Sequence, residues 1–335
     1  MAAHAPKEEP TVVPELPRGR RYLITGGAGF LGSALARKLL HDGNEVVVLD
    51  DFSRGKRRRL PDNVQVIQGD IRDPLDVANA LAGMECVVHM AYLQGTQTFY
   101  AEPRQVLDVA IRGMLNLLGG CEQWGVTEML LVSSSEAYQV ASVVPTPETT
   151  ALTVPDPLNP RYSYGGGKIA CEIMANAWFR TGVLVRLIIA RPHNIIGPDM
   201  GREHVVPEFC LRMNRLVREH RDGTIPFPIQ GTGQETRSFC YVDDCTDQLA
   251  LLLRKAEGLG IYHVGAEDER TIDQVANTVA AIYNREIKVI PGALPKGSPP
   301  RRLPDTSKIR ALGYQPRVAF GEAIKATAEW YQAHG

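Results

Sequence analysis

Long apolar runs are missing from this 335-residue chain. No stretch approaches the ~18 to 20 consecutive apolar residues that a membrane helix needs, and a candidate such as Val183 to Ala190 is strand-length and carries Arg186. The chain therefore reads as soluble and cytoplasmic, without a membrane partner. Excess charge is missing too: 37 Lys and Arg stand against 38 Asp and Glu, for a formal charge of -1. No global positive field exists to hold nucleic acid. Cysteine is sparse, and Cys86, Cys121, Cys171, Cys210, Cys240 and Cys245 form no C-x-x-C and sit mostly in apolar segments. That pattern suits buried thiols in a reducing compartment and supports neither a disulfide framework nor a metal site. Residues 1–20 carry four prolines and three acidic side chains but no apolar core of a signal peptide, so they read as a disordered tail.

From Arg21 onward, short β-rich runs alternate with helical stretches: YLIT, a helix to about His41, EVVVLD, VQVIQ, a helix over Leu75 to Leu81, CVVHMA, a helix over Val106 to Trp124, and MLLVSS. Alternation of this kind implies parallel strands joined by right-handed crossovers. The strands are continuous apolar runs, so both sheet faces should be covered by helices. The expected fold class is α/β, a Rossmann-type doubly wound parallel sheet with a smaller interleaved C-terminal substrate lobe. The sheet domain covers 21–191 with a return near 236–265, including a strand near Ile261 to Val264, and the lobe covers 192–235 and 266–335. Val140 to Pro160 holds five prolines and reads as a long surface loop. A helix from Tyr162 to about Arg180 and the strand VLVRLIIA follow it.

Thr25-Gly26-Gly27-Ala28-Gly29-Phe30-Leu31-Gly32 links the first strand to the first helix. Glycines at this spacing let the backbone turn sharply and approach a pyrophosphate, whose charge meets the helix N-terminal amides. The second strand ends about twenty residues on in Asp50, where a carboxylate can bind a ribose 2′-hydroxyl. The expected cofactor is NAD, because Asp50 and Asp51 repel a 2′-phosphate. The run Arg54-Gly55-Lys56-Arg57-Arg58-Arg59 leaves NADP open: it is either a solvated loop or a source of one arginine for that phosphate. Asp70, with Ile71, ends the third strand and either contacts adenine or caps the next helix. Gly26, Gly29, Phe30, Leu31, Gly32, Asp50, Asp70, Ile71 and Ala91 make up the candidate cofactor set, with Tyr164 and Lys168.

Tyr164 and Lys168 stand four apart at the start of a helix and point from one face. A tyrosine must fall ~3 units from its ordinary pKa to act as a base near neutrality, and a nearby ammonium with the positive nicotinamide ring is a source of that shift. Ser134, at the end of MLLVSS, can hydrogen-bond the same substrate hydroxyl.

With these residues in hand, the sequence resembles the extended short-chain dehydrogenase/reductase family, in its nucleotide-sugar epimerase and dehydratase group. The resemblance runs from about Arg21 to Trp330 through TGGAGFLG, GDIRD, VVHMA, LLVSSSEAY, YSYGGGK, ARPHNIIGPDMG, GTGQETRSFCYVDD and PRRLPDTSKIRALGY. It implies that Ser134, Tyr164 and Lys168 are a catalytic trio. It also implies that Ser135, Asn194, Arg237 and Arg302 contact a nucleotide-sugar substrate, the last three at its diphosphate, and that the assembly is a homodimer built on two helices from each subunit. Two departures stand out: three glycines lie between Tyr164 and Lys168, and Gln139 follows Tyr138 where the family commonly has glycine.

In the resembling family, a glutamate two residues after the serine is typical of members that act at C5, the 4,6-dehydratases and the UDP-glucuronate decarboxylases. Glu136 is thus the candidate acid/base. His204 falls where GDP-mannose 3,5-epimerases carry a lysine acid, and a histidine can donate or accept a proton at neutral pH. His89 reads as structural and His193 has no assigned role. The expected activity is NAD-dependent epimerisation of a nucleotide sugar through transient C4 oxidation, with 4,6-dehydration or decarboxylation as the alternative. An oxidoreductase that exchanges NAD(P)H with solution, or a non-catalytic dinucleotide sensor, fits these motifs less well.

Overall fold

The computed structural model describes residues 19–294 and 297–335; the tail expected over 1–20 lies almost wholly outside the described residues. Its centre is a parallel sheet. Strands β1 (Arg21–Thr25), β2 (Glu45–Asp50), β3 (Gln65–Gln68), β4 (Cys86–His89), β5 (Glu128–Val132) and β6 (Arg186–Pro192) alternate with helices α1 (Phe30–His41), α2 (Pro74–Leu81), α3 (Thr96–Ala101), α4 (Pro103–Trp124) and α5 (Tyr162–Arg180). Apolar side chains on both strand faces account for this layering. Ile24, Val48 and Val88 pack under α1 on one side, while Leu23, Leu49 and Val87 pack under α2 and α4 on the other. β6 starts three residues later than expected. Gly182, at φ 82°, turns the chain after α5, and Val185 first meets the Thr127 carbonyl before the ladder begins.

The second half is less regular. It runs β7 (Ile195–Ile196), α6 (Val205–Glu219), β8 (Ile225–Pro228), β9 (Thr236–Ser238), β10 (Cys240–Tyr241), α7 (Val242–Lys255), β11 (Leu259–Val264), β12 (Glu269–Thr271), α8 (Ile272–Ile282), β13 (Ile287–Ile290), β14 (Arg301–Arg302), α9 (Ser307–Arg310) and α10 (Phe320–His334). β11 rejoins the large sheet, with α7 and α9 packed on it, and the sheet's order is β11-β6-β5-β4-β1-β2-β3, parallel throughout. β9 and β10, expected to return with them, instead pair in small sheets with β12 and β14 and with β7. At three and two residues they are too short to fill a place in the large sheet. A separate apolar core, with Phe209, Met213, Phe227, Val275 and Tyr331, holds α6, α8 and α10 together as the lobe.

Strand order reverses between β1 and β4, and an open α/β sheet offers its crevice at the carboxyl ends of the strands beside such a reversal. All six cysteines are buried thiols. Among the described residues, no helix is long and apolar enough to cross a membrane, and no cluster of His, Cys, Asp or Glu is arranged to hold a metal.

Candidate active site

At that crevice lies a cavity of about 640 Å³. Its wall begins at the glycine loop. Gly26 turns the chain at φ 69°, and a Cβ on it would stand 2.7 Å from the Ala91 Cα. Gly32 lets α1 approach so closely that a Cβ there would be 2.7 Å from the Gly27 Cα. Gly29, Phe30, Leu31 and Ala91 line the same wall. Asp50 ends β2 beneath this loop, where its carboxylate accepts the Ala28 and Phe52 amides, each at 2.9 Å. Burial pushes its pKa up despite those two donors.

Asp70 and Ile71 also line the cavity. Asp70 does not cap α2; Asp73 does, accepting the Leu75 amide at 2.8 Å. Asp70 instead holds the Arg72 guanidinium, whose hydrogen bonds keep its carboxyl below the usual range. The basic run is a largely exposed loop that brings Arg54, Lys56 and Arg59 to the cavity, and three of its cations share one carboxylate. Asp199, in the substrate half of the chain, accepts from Lys56, Arg58 and Arg59, each at 3.0 Å, and the Asp199 carbonyl accepts from Arg59 Nη2 at 2.6 Å. Burial raises Asp199, but Arg59 and Lys56 outweigh it and hold its carboxyl low.

The chemical end of the cavity gathers Ser134, Ser135 and Glu136 from the turn after β5, Tyr164 and Lys168 from α5, and Asn194, His204 and Arg302 from the lobe. Lys168 is buried; its ammonium donates to the Val132 carbonyl at 2.8 Å and sits 4.0 Å from the centre of the Tyr92 ring. Burial drives its pKa down to about 8. Tyr164 is stacked on Phe99 at 4.7 Å and met edge-on by Tyr92 at 5.0 Å. Burial pushes Tyr164 up to about 12, against the pull of Ser134. The expected lowering of Tyr164 draws on the positive nicotinamide ring as well as on Lys168, and from the protein side alone desolvation prevails. The ammonium is spent on the Val132 carbonyl and the Tyr92 face, 5.9 Å from the Tyr164 ring centre, and desolvation dominates.

Glu136 accepts from Arg302 Nη1 at 2.6 Å. Burial pushes Glu136 up, but the charge and hydrogen bond of Arg302, reinforced by Arg161 and Arg237, hold its carboxyl below the usual range. Burial, then the charge of Arg54, lowers the proton affinity of His204. Asn194, at φ 40°, donates to the Ser238 carbonyl at 2.9 Å. Arg237 is the one predicted site residue that does not line the cavity. It donates to the carbonyls of Thr236 and Pro299, each at 2.7 Å, and burial, then repulsion from Arg302, lowers it to about 10.

The sequence profile of the NAD dependent epimerase/dehydratase family matches residues 22–265. The chain belongs to that family. Among similar proteins is UDP-glucuronic acid decarboxylase 1 of Xenopus tropicalis, 32% identical over 324 residues, covering 93% of this chain and 72% of the relative. Among solved structures, the UDP-glucose 4-epimerase of Thermus thermophilus, in complex with NAD, aligns with a TM-score of 0.78 at 29% identity over 93% of this chain and 99% of its own. A dTDP-glucose 4,6-dehydratase from Streptomyces venezuelae with NAD bound aligns with a TM-score of 0.81 at 29% identity, over 93% and 97%.

NAD is the cofactor, and this chain's residues fit it: the cradle at Gly26 and Gly32 has no room for side chains, and the Asp50 carboxylate ends the neighbouring strand. Three participants escaped the sequence reading. Tyr92 and Phe99, which enclose Tyr164 and Lys168, come from the segment just after VVHMA, and an aromatic directly beyond a strand end was the available signal. Asp199 left no such signal, because its partners lie about 140 residues away.

Proposed function

We propose that the protein converts one nucleotide sugar into its epimer through a 4-keto intermediate, with no net redox change. Held by the Gly26–Gly32 loop and Asp50, NAD would supply a reversible hydride acceptor for C4 of the sugar. Tyr164 takes the C4 hydroxyl proton while Ser134 holds the same oxygen; Lys168, buried behind them, supplies the positive charge that favours the phenolate. A 4-ketone acidifies the proton on C5, and Glu136 is the base that takes it. His204, whose proton affinity rises as the substrate's phosphates offset Arg54, is the partner that returns a proton from the other side. Asn194, Arg302 and, with a turn of its side chain, Arg237 bind the diphosphate. Leu107, Leu115 and Ile173 leave apolar side chains exposed on α4 and α5, which supports a homodimer across these helices.

The observation that carries this reading is the Glu136 carboxyl, paired with Arg302, in the same cavity as Tyr164 and Lys168. A plain C4 epimerase has no use for it. A second reading, decarboxylation of a nucleotide uronate, is favoured by the Arg302 guanidinium beside Glu136 and by the decarboxylases among the relatives.

One experiment separates them: incubation in deuterated water with a panel of nucleotide sugars and uronates, followed by NMR of the sugar protons and assay of released carbon dioxide. An epimer deuterated at C5 or C3 is the expected result. Carbon dioxide with a pentose product would replace it with decarboxylation, and a C4 epimer without deuterium would leave Glu136 without a chemical role.

A further inference from the structure

Gln139 holds a backbone conformation that a side chain resists. It sits at φ 55°, ψ -109°, at the end of the short turn Ser135–Tyr138. Glycine enters this region freely, and other residues persist there only where their surroundings require it.

The surroundings here are Glu136 and α5. Gln139 Nε2 donates to the Glu136 carbonyl at 2.6 Å, and the Gln139 backbone amide donates to the same oxygen at 3.2 Å. The side chain is buried and lies against the first turn of α5. A Cβ on Gly165 would collide with Gln139 Nε2 and stand 2.9 Å from the Glu136 carbonyl oxygen. So Gly165, next to Tyr164, is the socket that Gln139 fills. Glu136 is held at its other two polar groups as well, its amide by Ser134 Oγ at 3.1 Å and its carboxylate by Arg302.

We propose that Gln139 is a positioning residue for Glu136, and that Gln139 and Gly165 together fix the Glu136 backbone relative to Tyr164. The inference rests on the reading of Glu136 as the acid/base at C5. Without the side-chain amide of Gln139, the Glu136 carbonyl keeps only the Gln139 backbone donor at 3.2 Å, and the carboxylate loses its set distance from the sugar ring. A displacement of that size slows a proton transfer while leaving a neighbouring step intact.

The test is Gln139→Gly, which removes the strain together with the side chain. Two readouts are taken on the full-length protein with its cofactor: deuterium incorporation into the sugar, and the absorbance of reduced cofactor formed when the sugar nucleotide is added. The expected result is a roughly tenfold loss of deuterium incorporation with C4 oxidation unchanged within about twofold, and a melting temperature no lower than that of the parent. Gly165→Ala should give the same split, and the double variant should lose no more than the worse single, because both act through one contact. Equal loss of both readouts in Gln139→Gly, or no loss of deuterium incorporation, overturns the inference. Glu136→Gln separates the two claims. If it leaves deuterium incorporation at the parent rate, the reading of Glu136 has failed. If it abolishes incorporation and Gln139→Gly does not, only the positioning role has failed.

Discussion

Arg302 and Glu136, 166 residues apart in sequence, meet at 2.6 Å and join the lobe to the turn after β5. This contact lowers the proton affinity of Glu136. Burial alone would raise its pKa, and Arg302 is the leading opposing influence. In Arg302→Met the carboxyl should therefore rise, with only Arg161 and Arg237 left to hold it down. The base form of Glu136 would then be lost at a higher pH than in the parent. We expect the acidic limb of the pH profile for deuterium incorporation to move upward, with kcat at its plateau less affected than KM because, in the proposed function, Arg302 also binds the diphosphate. A profile with an unmoved acidic limb would show that Arg302 does not set the ionisation of Glu136.

Asp199 ties the 54–59 loop to the segment between β7 and α6. It gathers Lys56, Arg58 and Arg59, of which Arg59 is the best shielded. Exposed pairs contribute little, so most of the effect of a change here should come through Arg59. Asp199→Asn should free the 54–59 loop and speed NAD dissociation by roughly fivefold to tenfold, about 1 to 1.4 kcal/mol. The freed arginines should also narrow the preference for NAD over NADP, although Asp50 and Asp51 still oppose a 2′-phosphate. Stopped-flow displacement of bound cofactor measures the first effect and competition by NADP the second. An unchanged dissociation rate would mean that the loop does not gate the cofactor.

The three glycines of α5 are not equivalent. A Cβ on Gly167 would collide with the Tyr92 hydroxyl, whereas on Gly166 it would meet only Val154 Cγ2, at 3.6 Å. Helical glycine costs about 1 kcal/mol relative to alanine where nothing requires it. Gly166→Ala should therefore stabilise the protein by about 0.5 to 1 kcal/mol. Gly167→Ala should destabilise it by about 1 to 3 kcal/mol, by forcing Tyr92 off its seat beside Lys168. Urea unfolding of the two variants against the parent gives both values. Equal effects would mean that the helix tolerates or rejects side chains uniformly.

These glycines also mark how far the sequence could be read. The doubly wound sheet was legible because its strands are unbroken apolar runs, and periodicity reports such faces directly. The glycine loop, the end of β2 at Asp50 and the spacing of Tyr164 and Lys168 were legible because each is set within one or two adjacent elements. What Lys168 touches was not, since Tyr92 and Val132 reach it across the sheet edge. The reason for Gly165 and Gly167 was equally hidden: it lies in Gln139 and Tyr92, distant in sequence and joined to them only by packing. The small strands β9 and β10 were misplaced for a related cause. Two or three residues carry no period, and their partners β7, β12 and β14 are distant in sequence.

His89 supplies a pH dependence of stability whose sign follows from its contacts. Its Nδ1 lies 2.7 Å from Thr25 Oγ1, and that oxygen already accepts the Met90 and Ala91 amides at 3.2 and 3.3 Å. The threonine hydroxyl must therefore donate, and Nδ1 must stay unprotonated. Burial, then the charge of Lys168, lowers His89 to about 3. The unfolded chain takes up this proton near the ordinary value of about 6.5, so stability is full above that pH and is lost as pH falls toward 3. Each unit in that window costs about 1.4 kcal/mol. Between pH 7 and pH 5, His89 alone should thus remove about 2 kcal/mol. His193 and His263, both buried with lowered affinity for protons, act in the same direction. Urea unfolding of the parent and of His89→Gln at the two pH values isolates the contribution. The variant should lose about 2 kcal/mol less than the parent between pH 7 and pH 5, and an equal loss would place the acid sensitivity elsewhere.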